Sequence, residues 1–306
     1  MIVAEDIYKK FNDTVALNRV NITIPTGSIF GLLGPNGAGK TTFIRILTRI
    51  YLPDGGTVLI NDNPLNELNA RKIGYLPEER GLYKKMKVGE LILYMARLRG
   101  LKTVEAKEQM NYWFGRFDIR DWSDKRIDSL SKGMQQKVQF IIAVLHRPEF
   151  LILDEPFSGL DPLNTEAIEN EILELHKSGT TIVFSTHNMD SVERFCERVV
   201  LIDKGQVVLS GTVDEVKQAH KQSLYEFKCR EHVDFLNERI AKSGTVVSSE
   251  LKSGVYTVLA KLNTESEADG VLIDIAGKVK LTSFCELLPS MNDIFIESVK
   301  NKNEEL

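Results

Sequence analysis

Chemistry on a polyphosphate needs backbone N–H groups that can turn inward, a cation that reaches the outer phosphates, and a hydroxyl for a metal ion. The run Gly34-Pro35-Asn36-Gly37-Ala38-Gly39-Lys40-Thr41-Thr42 offers all three, at the spacing G-x-x-x-x-G-K-[ST]. Gly34, Gly37 and Gly39 carry no Cβ, so successive N–H groups can cradle an anion at the start of a helix whose dipole favours it. Lys40 would then reach the β- and γ-phosphates, and the Thr41 hydroxyl would take a position on Mg²⁺. The competing reading is a glycine-rich turn that merely precedes a lysine. The flanks weigh against it, because an apolar run, Ile29 to Leu33, comes before and a helical-looking segment, Thr42 to Ile50, comes after.

Such a loop binds a nucleotide, but hydrolysis also needs a metal carboxylate and a group that activates water. Phe150-Leu151-Ile152-Leu153-Asp154-Glu155 places both at the end of an apolar run. Asp154 is expected at the carboxyl end of a buried strand, holding Mg²⁺ directly or through water, with Glu155 next in line to polarise the attacking water. Taken alone, Asp-Glu-Pro would be an ordinary turn; beside Lys40 it gains a function.

The surrounding pattern supplies elements to hold these residues. Short β-type runs, Ile2 to Tyr8 and Val20 to Ile24, open the chain around a polar stretch from Lys9 to Thr14. Strands are predicted at Thr57 to Ile60 and Ile73 to Leu76. Apolar residues then recur at helical intervals through Leu91, Leu98, Trp113 and Phe117, which predicts a mainly helical insert from about Glu79 to Arg147. Strands return at Phe150 to Leu153, Thr181 to Phe184, Val199 to Ile202 and Val207 to Leu209, alternating with helices at Leu163 to Lys177 and Met189 to Cys196. That alternation predicts an α/β domain over 1–219 with a parallel sheet and helices on its faces. Lys217 to Gln222 reads as a polar linker. Beyond it the order strand, helix, strand, strand, helix, strand predicts a small α+β ferredoxin-like domain over 220–306, closed by a helix from Ser290 to Lys300.

Composition narrows the function. The 306 residues are 42% hydrophobic, enough for a full core in one large domain and a smaller one. Lys and Arg total 39 against 43 Asp and Glu, a net charge of −4, so there is no broad basic footprint for nucleic acid, and Lys84-Lys85-Met86-Lys87 reads as solvated surface. Cys196, Cys229 and Cys285 form no C-x-x-C pair, which fits a reducing, cytoplasmic compartment and suggests neither zinc nor disulfides. No run of 18 apolar residues and no secretory pattern occurs, so any membrane role is expected to come through a partner.

Three further segments resemble a known family. Leu130-Ser131-Lys132-Gly133-Met134-Gln135-Gln136 is similar to the signature segment of ABC ATPases, Ser158-Gly159-Leu160-Asp161 to their D-loop, and Ser185-Thr186-His187 to their switch histidine, all in the family's order. The resemblance implies an ATP-binding subunit with a parallel-sheet core, an antiparallel β subdomain and a helical subdomain. It also implies two subunits that clamp two ATP molecules head to tail. Ser131 and Gly133 would bind the γ-phosphate held by the opposite subunit, His187 would bond the γ-phosphate and orient the water or Glu155, and Asp161 would support contact across the dimer. Phe11 corresponds to the aromatic residue that stacks on adenine.

The pattern departs from the family's in two places. Lys132 and Met134 replace the Gly and Gln of Leu-Ser-Gly-Gly-Gln, and Glu78, in Ile73-Gly74-Tyr75-Leu76-Pro77-Glu78-Glu79-Arg80-Gly81, stands where a glutamine is usual. A carboxylate there can ligate Mg²⁺ or accept from water but cannot donate as an amide does. Both departures, with Pro289-Ser290-Met291-Asn292-Asp293-Ile294-Phe295, resemble the efflux branch of sodium- and drug-exporting subunits. The expected protein is therefore an ATPase, with ATP and Mg²⁺ as ligands, that forms a homodimer on the inner face of the membrane and drives a separate permease in export. The insert near Glu78 to Tyr83 would receive a cytoplasmic helix of that permease. An alternative from another class is an ABC-type ATPase acting on nucleic acid or the ribosome, which salt-sensitive RNA or DNA binding would favour.

Overall fold

The computed structural model describes residues 1–79, 81–264 and 266–304, the last four of them by backbone alone. Arg80, within the predicted segment around Glu78, lies outside the described residues. Two compact units are present, Met1–Val213 and Asp214–Lys300.

The first unit holds two sheets. One is antiparallel, with β1 (Ile2–Phe11), β2 (Thr14–Ile24), β4 (Gly55–Ile60) and β5 (Asn63–Pro64) in the order β2-β1-β4-β5. The other has six strands: β3 (Ile29–Leu33), β6 (Ile73–Leu76), β7 (Phe150–Asp154), β8 (Thr181–Ser185), β9 (Arg198–Asp203) and β10 (Gln206–Thr212), in the order β10-β9-β3-β8-β7-β6. Every residue of β3, β7 and β8 is buried, as uninterrupted apolar runs should be in a parallel sheet covered on both faces. Phe43, Ile44 and Leu47 of α1 (Lys40–Leu47) pack with Leu32, Phe150, Ile152 and Val183 in one core.

Between β6 and β7 lie α3 (Val88–Leu98), α4 (Thr103–Arg116) and α5 (Lys132–Val144), following the short α2 (Glu67–Ala70). After β7 come α6 (Pro162–Lys177) and α7 (Met189–Phe195). The structure thus contains the parallel core, antiparallel sheet and helical segment of the predicted fold class, with three local differences. The polar stretch from Lys9 to Thr14 is mostly strand: β1 and β2 form a long hairpin that turns at Asn12-Asp13, with Asn12 at φ 49°. The sheet is not wholly parallel, because Lys204-Gly205, both at positive φ, form a two-residue turn that folds β10 back antiparallel on β9. Finally, the helix after the phosphate loop starts at Lys40 and ends at Leu47, two residues earlier and three residues earlier than Thr42 and Ile50.

The second unit carries α8 (Val213–Ala219) at its start, so half of the stretch read as a linker is helical. Its four strands, β11 (Leu224–Cys229), β12 (Gly244–Lys252), β13 (Val255–Leu262) and β14 (Leu281–Leu287), are ordered β12-β13-β11-β14 with every pair antiparallel. With α9 (Val233–Ser243) and α10 (Ser266–Ile275) between strands, this is the split β-α-β arrangement of a ferredoxin-like fold. Leu236 and Ile240 from α9, and Val271 and Ile275 from α10, pack with Phe227, Val258 and Ala260 of the sheet. A last helix, α11 (Met291–Glu304), follows.

Candidate active site

A cleft of about 670 Å³ lies at the carboxyl ends of the central strands of the first unit. Its walls include the loop residues Asn36, Gly37, Ala38, Gly39, Lys40, Thr41 and Thr42, together with Glu78, Asp154, Glu155 and His187. The loop is wedged in place. Gly34 has φ 148°, and a Cβ there would come 2.1 Å from the Ile202 carbonyl oxygen; Gly39 has φ 110°, and a Cβ there would come 2.6 Å from the Ala16 carbonyl oxygen. Gly205 in the β9–β10 turn donates its N–H to the Ala38 carbonyl at 2.9 Å, so the hairpin turn braces the loop from outside. This is the kind of cradle that a side chain would fill, and it fits a polyphosphate.

Lys40, the first residue of α1, is only 8% exposed. Its Nζ donates to the Gly34 and Pro35 carbonyls at 2.6 and 3.0 Å. Burial holds its pKa below the usual lysine value, against the opposing pull of Glu155, Asp154 and Glu78. The ammonium is therefore parked on weak neutral acceptors, next to a cleft with room for stronger anionic ones.

Asp154 ends β7, is 2% exposed, and accepts from the Thr41 hydroxyl across 3.5 Å. Burial pushes its carboxyl pKa up, and the charges of Glu78 and Glu155 push the same way against Lys40. A folded pKa above the unfolded value of about 3.9 makes the ionised group a cost to the fold. The stability advantage is present below that unfolded value and is lost as pH rises through the folded one. We expect Asp154→Asn to stabilise the nucleotide-free protein at neutral pH by about 1 kcal/mol, or ~2 °C in Tm, as removal of a costly functional charge does. Differential scanning calorimetry without nucleotide or metal checks the sign.

Glu155 follows at φ 48°, a strained position for a non-glycine residue. Its N–H donates to the Ser185 carbonyl at 3.0 Å. Because β8 lies between β3 and β7, the residues after β8 arrive beside those after β7. The Thr186 hydroxyl is 3.4 Å from Glu155 Oε2, and His187 Nδ1 is 2.7 Å from Glu155 Oε1. A carboxylate held by an imidazole at the mouth of a phosphate cleft is arranged to take a proton from water.

The other predicted residues lie elsewhere in the unit. Ser131 caps α5, accepting from the Met134 N–H at 3.3 Å. Gly133 is buried against Asn164, whose amide nitrogen would be 2.6 Å from an added Cβ. Asp161 caps α6 and holds that same Asn164 through its N–H at 3.0 Å and its amide at 2.5 Å. None of Ser131, Gly133 and Asp161 lines the cleft, and Phe11 does not either; its ring packs edge-on against Tyr51 with centroids 5.2 Å apart. Five lining residues were not anticipated: Thr14, Val15 and Ala16 from β2, and Lys204 and Gly205 from the hairpin turn. The Lys204-Gly205 pair is a readable turn signal, but nothing local ties it to the phosphate loop.

Comparison with known proteins bears on what the cleft does. A family profile described as "ABC transporter" matches residues 17–158, and one described as "ATP-binding protein DrrA1-3-like, C-terminal domain" matches residues 211–299. A third, described as "AAA domain, putative AbiEii toxin, Type IV TA system", matches residues 124–193 and so partly overlaps the first. An "Uncharacterized ABC transporter ATP-binding protein YhaQ" of Bacillus subtilis is 40% identical, across 98% of this chain and 98% of its own length. The chain belongs to the ABC transporter ATP-binding proteins.

A "Probable multidrug ABC transporter ATP-binding protein YbhF" of Escherichia coli is 32% identical over 71% of this chain, which corresponds to 38% of that longer protein. Among solved structures, one described as "Structure of ATP binding subunit of ABC transporter" matches 72% of this chain and 92% of its own, with 30% identity and a TM-score of 0.67. The protein is accordingly an ATP-hydrolysing subunit that works with membrane permease subunits, and the transport reading stands over the nucleic-acid one. Among the described residues, no helix is long and apolar enough to cross a membrane.

Proposed function

We propose that two copies of this chain close head to tail on two ATP molecules and so drive a separate permease, in the direction of export. The observation that carries the reading is a separation within one chain. Lys40, Thr41, Asp154, Glu155 and His187 share one cleft, whereas Ser131 and Gly133, at the start of α5, do not line it. A hydroxyl and a backbone N–H at a helix N-terminus suit an anion, so a second copy would supply them to this cleft. Asp161, which braces Asn164 against Gly133, would support that contact. The adenine would lie against Phe11.

On this reading Lys40 leaves the Gly34 and Pro35 carbonyls for the β- and γ-phosphates, while the loop N–H groups hold the remaining oxygens. Thr41 and Asp154 would hold Mg²⁺, with Glu78 as a further oxygen; one or two carboxylates beside substrate phosphates are the donors this ion takes. The metal, when bound, neutralises charge developing on the phosphates. Glu155 takes the proton of the attacking water as its oxygen bonds to the γ-phosphorus and the bridging oxygen departs with ADP. His187 fixes the Glu155 carboxylate and bonds the γ-phosphate.

The domains would divide the work: 1–219 binds and hydrolyses ATP, its helical subdomain of about 79–147 receiving the permease, and 220–306 stabilises or regulates the dimer. The assembly would sit on the inner face of the membrane through the permease. Export is supported by Glu78, by the variant signature and by the DrrA-like match of the second unit. Mixing tests the composite site. Ser131→Arg and Lys40→Met chains should each be inactive alone, yet regain a measurable fraction of the ATPase activity together, because a mixed dimer contains one site with an intact Lys40 and an intact Ser131. A mixture as inactive as its components would sink the proposal.

A further inference from the structure

The signature helix is tied to both turns that bear the carboxylates of its own cleft. Gln136, 3% exposed, donates its amide to the Pro156 carbonyl at 2.8 Å, one residue beyond Glu155. Gln139, 4% exposed, donates to the Pro77 and Glu79 carbonyls at 3.1 and 3.3 Å, which flank Glu78 on either side. Spaced i and i+3, the two glutamines emerge from the same face of α5. Ser131 and Gly133 stand at the start of that helix, about 5 to 12 Å along a stiff rod at 1.5 Å per residue.

The Glu155 turn has reason to need such a hold. A non-glycine residue at φ 48° keeps that conformation only where its surroundings over-determine it. Here the Glu155 N–H is fixed by the Ser185 carbonyl, and the carbonyl of the next residue, Pro156, is fixed by Gln136, so the turn is pinned on both sides of Glu155. Pro156 itself has a locked φ and transmits a shift of its carbonyl to Glu155 with little slack. Gln139 does the same for Glu78, which also sits beside a proline, Pro77.

We infer that Gln136 and Gln139 are positioning residues through which a phosphate bound at the start of α5 sets the placement of Glu155 and Glu78 in the same chain's cleft. The inference rests on the two-copy reading, in which that phosphate belongs to the partner's nucleotide. Occupation of one site thereby readies the other. Neither glutamine touches substrate; each acts through a carboxylate-bearing turn.

The test uses the full-length protein and ATP itself. ATPase rates over a range of ATP, and ATP affinity in EDTA where no turnover occurs, are measured for wild type, Gln136→Met and Gln139→Met. Methionine keeps the side-chain length and removes the donor. Loss of kcat by about tenfold with affinity held within about twofold, and a Hill coefficient falling from near 2 toward 1, is the expected result. Gln136→Glu adds a readout that simple loss of packing would not move. Only a protonated carboxyl can donate to the Pro156 carbonyl, so its kcat relative to wild type should climb between about pH 8 and about pH 6. The inference is overturned if both methionine variants keep wild-type kcat and cooperativity, or if kcat and affinity fall together. A wild type that neither dimerises with ATP nor shows cooperativity would instead defeat the two-copy reading on which the inference rests.

Discussion

Glu155→Gln lowers kcat by about three orders of magnitude while leaving ATP affinity within about twofold of wild type, as loss of a general base does. The substitution keeps size and hydrogen-bonding reach, so His187 and Thr186 retain a partner at the distances that hold Glu155 now, 2.7 and 3.4 Å. What disappears is the acceptor for the water's proton. With turnover blocked and affinity retained, the variant should accumulate as an ATP-bound dimer. Size-exclusion chromatography with light scattering, with and without ATP, reads the dimer, and a phosphate-release assay reads the turnover. Unaltered phosphate release would remove Glu155 from the role of base.

Lys40→Met weakens ATP binding by at least about a hundredfold, the order expected when one partner of a desolvated charge pair is deleted. The same change should not harm the empty protein. Lys40 is buried against two carbonyls, and burial depresses its pKa, so below that folded value the charged form costs stability. The cost fades as pH rises toward the unfolded lysine value of about 10.4, since more of the folded protein then holds the neutral amine. Methionine is uncharged throughout, and the variant is expected to melt at or above the wild-type temperature at neutral pH. Calorimetry without nucleotide, paired with ATP titration in EDTA, separates the two effects. A variant that melts lower and still binds ATP would contradict both.

The two predictions pull in opposite directions for the same reason. Lys40 and Asp154 are buried charges and Glu155 is backbone-strained, and a bound ligand is what offsets these costs. Activity and resting stability therefore compete in these side chains.

Much of this was legible along the chain because it is local. The phosphate loop depends on residues within nine positions, and a glycine that must clear the Ile202 or Ala16 carbonyl is a glycine in the sequence whatever lies nearby. The buried strands announce themselves as apolar runs, and the β-α-β-β-α-β order of the second unit can be counted before its sheet is seen. The family's motifs in order carried the composite-site idea. Hairpin turns were harder: Asn12-Asp13 lies in a polar stretch that gives no apolar alternation, so strand continued where a break was expected.

What the chain order leaves open is which strands become neighbours, since pairing is decided by burial between segments far apart. The insertion of β8 between β3 and β7 brings His187 to Glu155, 32 residues away, and lets a 2.7 Å contact form. The same long-range packing sets Gly205 against the phosphate loop and sends Gln139 to the turn around Glu78. Sequence alone determined which residues can bind phosphate, hold a metal and move a proton. Tertiary structure decided which of them meet within one chain, because only a closed sheet with its helices packed turns separation along the chain into contact.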